Sequence, residues 1–365
     1  MINISEDRVV EYLNAKEHFL LFRDFHKLGN PGQAANDTLV GDYHFSQFSL
    51  CLIPIDSVEL TDRFAAILRK DACGYDCDEL SPMVDKNPKD VPEAKAVLEK
   101  ELERICHSDN KQMEEDLKRV ILSGGKRLRP FLSWTAYNLG GDKTYPILPL
   151  MVMVELMHSA SIIHDDVVDK GMKRRGIDTI NALRGDYSAV QSADFILGRA
   201  MELLKVYKGS GINERLAEVS ENMCLGELRQ MGSHHCKITE EVYLEIIENK
   251  TALFISAAAA CGGIAAGLES IDIKCLERYG YNIGMAFQIK DDILDITGGK
   301  SFGKVINQDA KEGICTLPQI IGVEAAQKKV EEYSGDAIRA LAPIDDSKAK
   351  QDLKKMALLL SKREY

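Results

Sequence analysis

Residues Met151 to Asp169 read MVMVELMHSASIIHDDVVD, and this stretch decides the fold. Its polar groups Glu155, His158, Asp165 and Asp169 are spaced 3, 7 and 4 apart. At about 100° per residue they fall within one narrow stripe of a helix, with Asp166 beside it. The rest of the segment is apolar on every face, so a helix here is buried rather than solvated. Three carboxylates within five residues repel one another. Divalent cations set against them would make the arrangement stable.

Outward from this segment the chain stays helical in character. No proline occurs between Pro149 and Pro318, an interval rich in Ala, Leu, Met and Glu, which favours a stack of long helices. Gly140-Gly141, Gly185, Gly232 and Gly298-Gly299 supply helix stops. Leu253 to Leu268 is uncharged and dominated by Ala and Gly. It is short for a membrane span and reads as a tightly packed buried helix. Residues 93–365 are therefore expected to be an all-α domain.

Residues 1–92 differ. Glu6 to Lys27 suggests an amphipathic helix, Phe45 to Ile55 a strand confined to an edge by Pro54, and Thr61 to Lys70 a short helix. Ser81 to Pro92, with three prolines, reads as a linker. The expectation is a small α or α+β appendage of open role.

Composition narrows the function classes. The 365 residues are 45% hydrophobic, enough for a large core, and the net charge of −11 argues against nucleic acid. Nine cysteines in a chain this long do not form a disulfide framework. Cys73 and Cys77 lack a second ligand pair, as does His234-His235-Cys236. Free thiols point to a reducing compartment, so a cytoplasmic location is expected. Charges within MINISEDRVVEYL argue against a signal peptide, and no transmembrane segment is expected.

The spacing of the first aspartate motif recurs at Asp291-Asp292-Ile293-Leu294-Asp295, near the end of the apolar segment YGYNIGMAFQIKDDILDITGG. One such motif is explained by exposed helix-end charges; two on different apolar helices are harder to explain that way. Facing each other, they would cradle several Mg²⁺ ions. Mg²⁺ keeps waters and takes phosphate oxygens, so the implied ligand is a diphosphate. Gly124-Gly125-Lys126-Arg127-Leu128-Arg129-Pro130 places three cations after a glycine pair, without the spacing of a P-loop. Arg174-Arg175-Gly176 follows Asp169 closely, Lys250 interrupts an apolar segment, and Lys304 follows the second aspartate motif. These cations suit phosphate contacts. Two anion subsites emerge, one metal-bridged and one held by Lys and Arg alone, around a hydrophobic interior. Such a layout serves the ionisation of an allylic diphosphate and its coupling to a second diphosphate.

In order along the chain, GGKRLRP, HSASIIHDDVVDKGMKRRG, ENKTALF, AFQIKDDILD and EGICTLP resemble the trans-isoprenyl (polyprenyl) diphosphate synthases, over residues 93–365. The resemblance implies a bundle of long antiparallel helices around a central active-site cavity, and a homodimer with Mg²⁺, three ions per site, at Asp165, Asp169 and Asp291, supported by Asp166, Asp292 and Asp295. It implies that Arg174, Lys250 and Lys304 grip the allylic diphosphate, with Thr251 and Gln288 nearby. It places isopentenyl diphosphate at Lys126, Arg129, His158 and Arg175. Met157, Ala160 and Ser161 take the positions that limit chain length, and the small Ala160 and Ser161 imply a product longer than twenty carbons. Product release would then involve a transient membrane contact.

Two departures stand out. Ile314 occupies the usual lysine position of the EGK segment, and Ala193-Asp194 replaces the usual Gly-Asp. A class I terpene cyclase shares one aspartate motif but does not need the second, cationic subsite. A regulatory subunit of a heteromeric synthase would not need both aspartate motifs intact.

Overall fold

The computed structural model describes residues 87–298 and 313–361. The expectations for residues 1–86, and Lys304, lie outside the described residues. Helix α1 (Val91–Ile105) starts at Asp90, whose carboxylate accepts the Glu93 N–H at 2.9 Å, with Pro92 in its first turn. There follow α2 (Lys111–Ile121), α3 (Leu128–Tyr137) and α4 (Leu148–Val168). The stretch Met151 to Val168 is thus helical as its composition requires, and every residue from Leu148 to Leu156 is buried.

After α4 the chain makes the two-residue strands β1 (Lys173–Arg174) and β2 (Ile177–Asp178), an antiparallel hairpin turned by Arg175 and Gly176. No alternation marked it in the sequence, since two residues per strand are too few to show a period. Next come α5 (Ile180–Arg184), α6 (Asp186–Leu203), a 3₁₀ turn, α7 (Ile212–Met231) and α8 (Glu240–Ile247). A π-helical turn, Glu248–Ala252, joins α8 to α9 (Leu253–Ala266), and α10 (Ser270–Thr297) follows. The chain ends in α11 (Leu317–Ile321), α12 (Val323–Ala340) and α13 (Lys348–Ser361). Gly185, Gly232 and Gly298 cap helix ends as expected.

The largest contacts join α4 to α6, α9 to α3 and α10, and α10 to α12. The three-residue link between α9 and α10 makes them antiparallel neighbours. Their close approach depends on Gly280 and Gly284, four apart on α10. A Cβ there would lie 2.6 Å from Ser256 Cα and 2.4 Å from Ala252 Cα. Among the described residues no helix is long and apolar enough to cross a membrane.

The linker reading of Ser81 to Pro92 fails at its end. Pro88 is buried, the Trp134 indole N–H donates to the Pro88 carbonyl at 3.1 Å, and the Tyr137 hydroxyl bonds Asn87 Oδ1 at 3.2 Å. A buried indole needs an acceptor, and the incoming chain provides it. The described helical unit therefore includes Asn87 and Pro88.

Ala193 is fully buried, whereas both Asp194 carboxylate oxygens are enclosed with no hydrogen-bond partner. Burial pushes the Asp194 pKa up to about 7. An acid whose folded pKa exceeds its unfolded one costs stability progressively as pH rises between the two values, and the full cost applies above the higher. Asp194→Asn is expected to raise the unfolding temperature clearly at pH 8 and little at pH 4. Thermal scans of both proteins check this, and an equal shift at the two pH values would contradict it.

Candidate active site

Lys250 lies at the centre of the site. Its ammonium is 2.5 Å from Glu227 Oε2 and 3.5 Å from Asp165 Oδ1, which brings α4, α7 and the π turn together. The π turn displaces Lys250 from regular helical phase and aims it inward, as single π turns often do at functional sites. Gly226 makes the approach possible, because a Cβ there would come within 2.8 Å of the Lys250 backbone nitrogen. Burial would lower the Lys250 pKa, but Asp165, Glu227 and Asp169 overcome it and raise it. Burial raises the Glu227 pKa, and the neighbouring Asp165 adds to that. Glu227 was not recognised in the sequence, where a carboxylate on an ordinary amphipathic helix carries no signal.

Thr251 is buried and donates to Gln288 Oε1 at 3.1 Å, and Gln288 Nε2 donates to Asp292 Oδ1 at 3.0 Å. The Tyr243 hydroxyl donates to Asp292 Oδ2 at 2.6 Å. Asp292 is therefore buried and held from both sides, while Asp291 and Asp295 are half-exposed on the same helix end. The first aspartate motif divides similarly. Asp166 is 7% exposed and takes the Arg174 Nε at 2.7 Å, whereas Asp165 and Asp169 are half-exposed. Within each motif the second aspartate is thus buried, and its neighbours are half-exposed.

The cationic subsite assembles from two loops. Gly124 and Gly125, at φ of +97° and +139°, hold a backbone path that other residues resist. The Arg175 guanidinium lies over them, donating to the Gly124 carbonyl and to Ser123 Oγ. Lys126 is exposed beside it. The Arg129 guanidinium stands 5.0 Å from the centre of the Phe254 ring. Burial pushes the Arg129 pKa down to about 10, against the pull of Glu155, Asp291 and Asp165. Both aspartate motifs therefore lie within electrostatic reach of this guanidinium. Burial, with Arg129, Arg175, Arg174 and Arg127, drives the His158 pKa well below its usual value, so the imidazole is neutral.

Two members of the polar readings serve elsewhere. Arg127 is 4% exposed; its Nη1 lies 2.6 Å from Glu155 Oε1, and it also binds Glu99 and the Ile121 carbonyl. Glu155 is therefore half of a buried ion pair in the core, not part of the Asp165 stripe. Of the positions before Asp165, Met157 and Ser161 are half-buried, but Ala160 is 1% exposed within the core. Ile314 is half-buried next to Gly313, whose carbonyl accepts the His235 N–H at 2.8 Å.

Residues 110–356 match the sequence family described as Polyprenyl synthetase. The chain belongs to the polyprenyl synthetase family. It is 33% identical over 253 residues to heptaprenyl diphosphate synthase component 2 of Geobacillus stearothermophilus, covering 69% of this chain and 77% of that protein. It is 37% identical over 201 residues to octaprenyl diphosphate synthase of Escherichia coli, covering 54% and 62%. The crystal structure of heptaprenyl diphosphate synthase from Staphylococcus aureus aligns with a TM-score of 0.73 at 26% identity, over 76% of this chain and all of that one. The polyprenyl synthase of Caulobacter crescentus, solved with calcium and isoprenyl diphosphate, aligns at 0.70 and 27%, over 84% and 98%. The protein is a trans-prenyltransferase that makes polyprenyl diphosphates from isoprenyl diphosphates, on an all-α isoprenoid synthase fold.

The half-exposed carboxylates fit Mg²⁺. Glu227 Oε1 is enclosed without a hydrogen-bond partner beside Asp165, leaving hard oxygen donors in place. Among the described residues no three ligand side chains form a preassembled metal cage. Mg²⁺ needs none, since one or two carboxylates, waters and phosphate oxygens complete its shell.

Proposed function

We propose that this synthetase condenses isopentenyl diphosphate with an allylic diphosphate in a Mg²⁺-dependent reaction, giving a product longer than twenty carbons. The observation that supports this most is the gathering of cations on the first aspartate motif, with Lys250 3.5 Å from Asp165 and Arg174 2.7 Å from Asp166. Asp165, Asp169 and Asp291, with Asp295, would hold three Mg²⁺ ions, and Asp166 and Asp292 would fix their neighbours in place. Bound Mg²⁺ would neutralise charge on the diphosphate that leaves. Arg174, Lys250 and Lys304 grip that diphosphate, and Thr251 and Gln288 orient Asp292. Lys126, Arg129 and Arg175 hold isopentenyl diphosphate, with neutral His158 offering a hydrogen bond. The apolar interior keeps water from the carbocation.

The growing chain runs down α4 past Ser161 and Met157, one and two turns from Asp165, or about 6 and 12 Å deeper. The test is product chromatography under excess isopentenyl diphosphate. Wild type is expected to exceed twenty carbons, and Ser161→Phe to shorten the product by one or more five-carbon units. A fifteen-carbon wild-type product unchanged by the substitution would contradict the tunnel.

We propose that the residues preceding the Asn87–Pro92 entry are dispensable for the chemistry. A homodimer is supported by the exposed apolar residues Leu183 and Tyr187 near the start of α6 and Leu225 and Leu228 on α7, at 47, 65, 54 and 59% exposure. The Geobacillus relative is named a component of its synthase. A second kind of subunit is therefore the alternative assembly, and elongation by the purified chain alone would argue against it.

A further inference from the structure

Helix α4 ends at the first aspartate motif, where its last carbonyls lose their helical partners. The turn that follows recovers some of them. The Asp169 N–H donates to the Asp165 carbonyl at 2.9 Å, and the Gly171 N–H donates to the Asp166 carbonyl at 2.9 Å. Two side chains from beyond the hairpin complete the set. Asn181 Nδ2 donates to both the Asp166 carbonyl, at 3.1 Å, and the Gly171 carbonyl, at 3.0 Å. Thr179 Oγ1 donates to the same Gly171 carbonyl at 2.6 Å, and the Thr179 N–H reaches the Met172 carbonyl at 3.2 Å.

Thr179 is 4% exposed, and its hydroxyl also accepts the Ala182 N–H at 3.3 Å as the N-cap of α5. One short segment therefore ties three things together: the end of α4, the base of the hairpin and the start of α5. Asp165 and Asp169 stand on one side of this tie. Arg174 and Arg175 stand on the other, with Arg174 bound to Asp166 and Arg175 to Ser123 and Gly124.

We infer that Thr179 and Asn181 are positioning residues that hold the Asp165–Asp169 carboxylates and the Arg174–Arg175 hairpin in one frame. The spacing between the two diphosphate subsites follows from that frame. Each side chain acts on backbone carbonyls within two residues of the site groups. The inference rests on the site reading given above. Partners of this kind, one shell removed from a metal site, typically change affinity or activity ten- to hundredfold when lost.

The test uses Thr179→Val, which keeps the shape and removes the donor, and Asn181→Asp, which turns donors facing carbonyls into acceptors. Thr179→Ser, which keeps the hydroxyl, and Asp165→Asn are controls. The first readout is amide hydrogen exchange in the metal-free full chain. Asp169 and Gly171 are expected to exchange at least about tenfold faster in Thr179→Val and Asn181→Asp, while amides of α9 keep their wild-type rates and Thr179→Ser stays near wild type. The second is steady-state kinetics, where kcat/KM for the allylic diphosphate falls about ten- to hundredfold in the same two variants and recovers in Thr179→Ser. Unchanged exchange at Asp169 and Gly171 overturns the inference. So does a lowered unfolding temperature with wild-type kcat/KM, which would make the tie structural only. If Asp165→Asn also keeps wild-type kinetics, the reading of the site falls, and the exchange data still decide the tie.

Discussion

Asp165→Ala and Asp291→Ala are each expected to lower turnover at least about a hundredfold at saturating Mg²⁺, while the helical fold persists. Metal-borne stabilisation of a departing diphosphate is worth several kcal/mol, and about 2.7 kcal/mol already corresponds to a hundredfold. Both residues are half-exposed on well-buried helices, and Ala is the best helix former, so the substitution removes a carboxylate and little else. Asp166 and Asp292 would be poorer choices. Each is buried in contacts with Arg174 or with Tyr243 and Gln288, and its loss would mix packing with chemistry. Steady-state rates and circular dichroism of the two alanine variants decide the matter. Retention of more than about a tenth of the wild-type rate would contradict the metal assignment.

Arg127→Ala is expected to cost about 3–5 kcal/mol of stability, the usual result of leaving one half of a buried ion pair unpaired. Glu155 is 3% exposed and would keep its carboxylate in the core without its hydrogen-bonded cation. The Ile121 carbonyl and Glu99 would lose a donor as well. Urea unfolding measures the loss. Arg127→Ala/Glu155→Leu should recover part of it, because the second change removes the stranded charge. A single-variant loss below about 1 kcal/mol would mean that water reaches Glu155 once Arg127 is gone.

This pair also shows where sequence periodicity stops. A count of about 100° per residue puts Glu155 about 80° around the helix from Asp165, close enough to be grouped with it loosely. Ten residues also separate them by about 15 Å along the axis, and at that depth Glu155 meets Arg127 instead of a diphosphate. The rough arc of the helix was legible; depth was not. Likewise α4 and α9 were legible because apolar residues on every side leave a helix no place but the interior. The Lys250 position stood out as a charge inside an apolar run, but the π turn that aims it inward has no sequence signature. Glu227, Tyr243, Thr179 and Asn181 are ordinary residues for helices and turns, and only the fold brings them to the aspartate motifs. Ala160 and Ser161 are neighbours in sequence, yet one helical step of about 100° puts the first in the core and leaves the second partly open.

The central claim is that one cavity holds two diphosphates, one beside the aspartates and one beside the Lys126–Arg129–Arg175 cations. Incubation of the purified full chain with radiolabelled isopentenyl diphosphate and an allylic starter, with Mg²⁺ or with excess chelator, tests it most directly. Label is expected in products longer than the starter by whole five-carbon units, and only when Mg²⁺ is present. Absence of label from any extended product, with the starter cyclised or hydrolysed instead, would contradict the account.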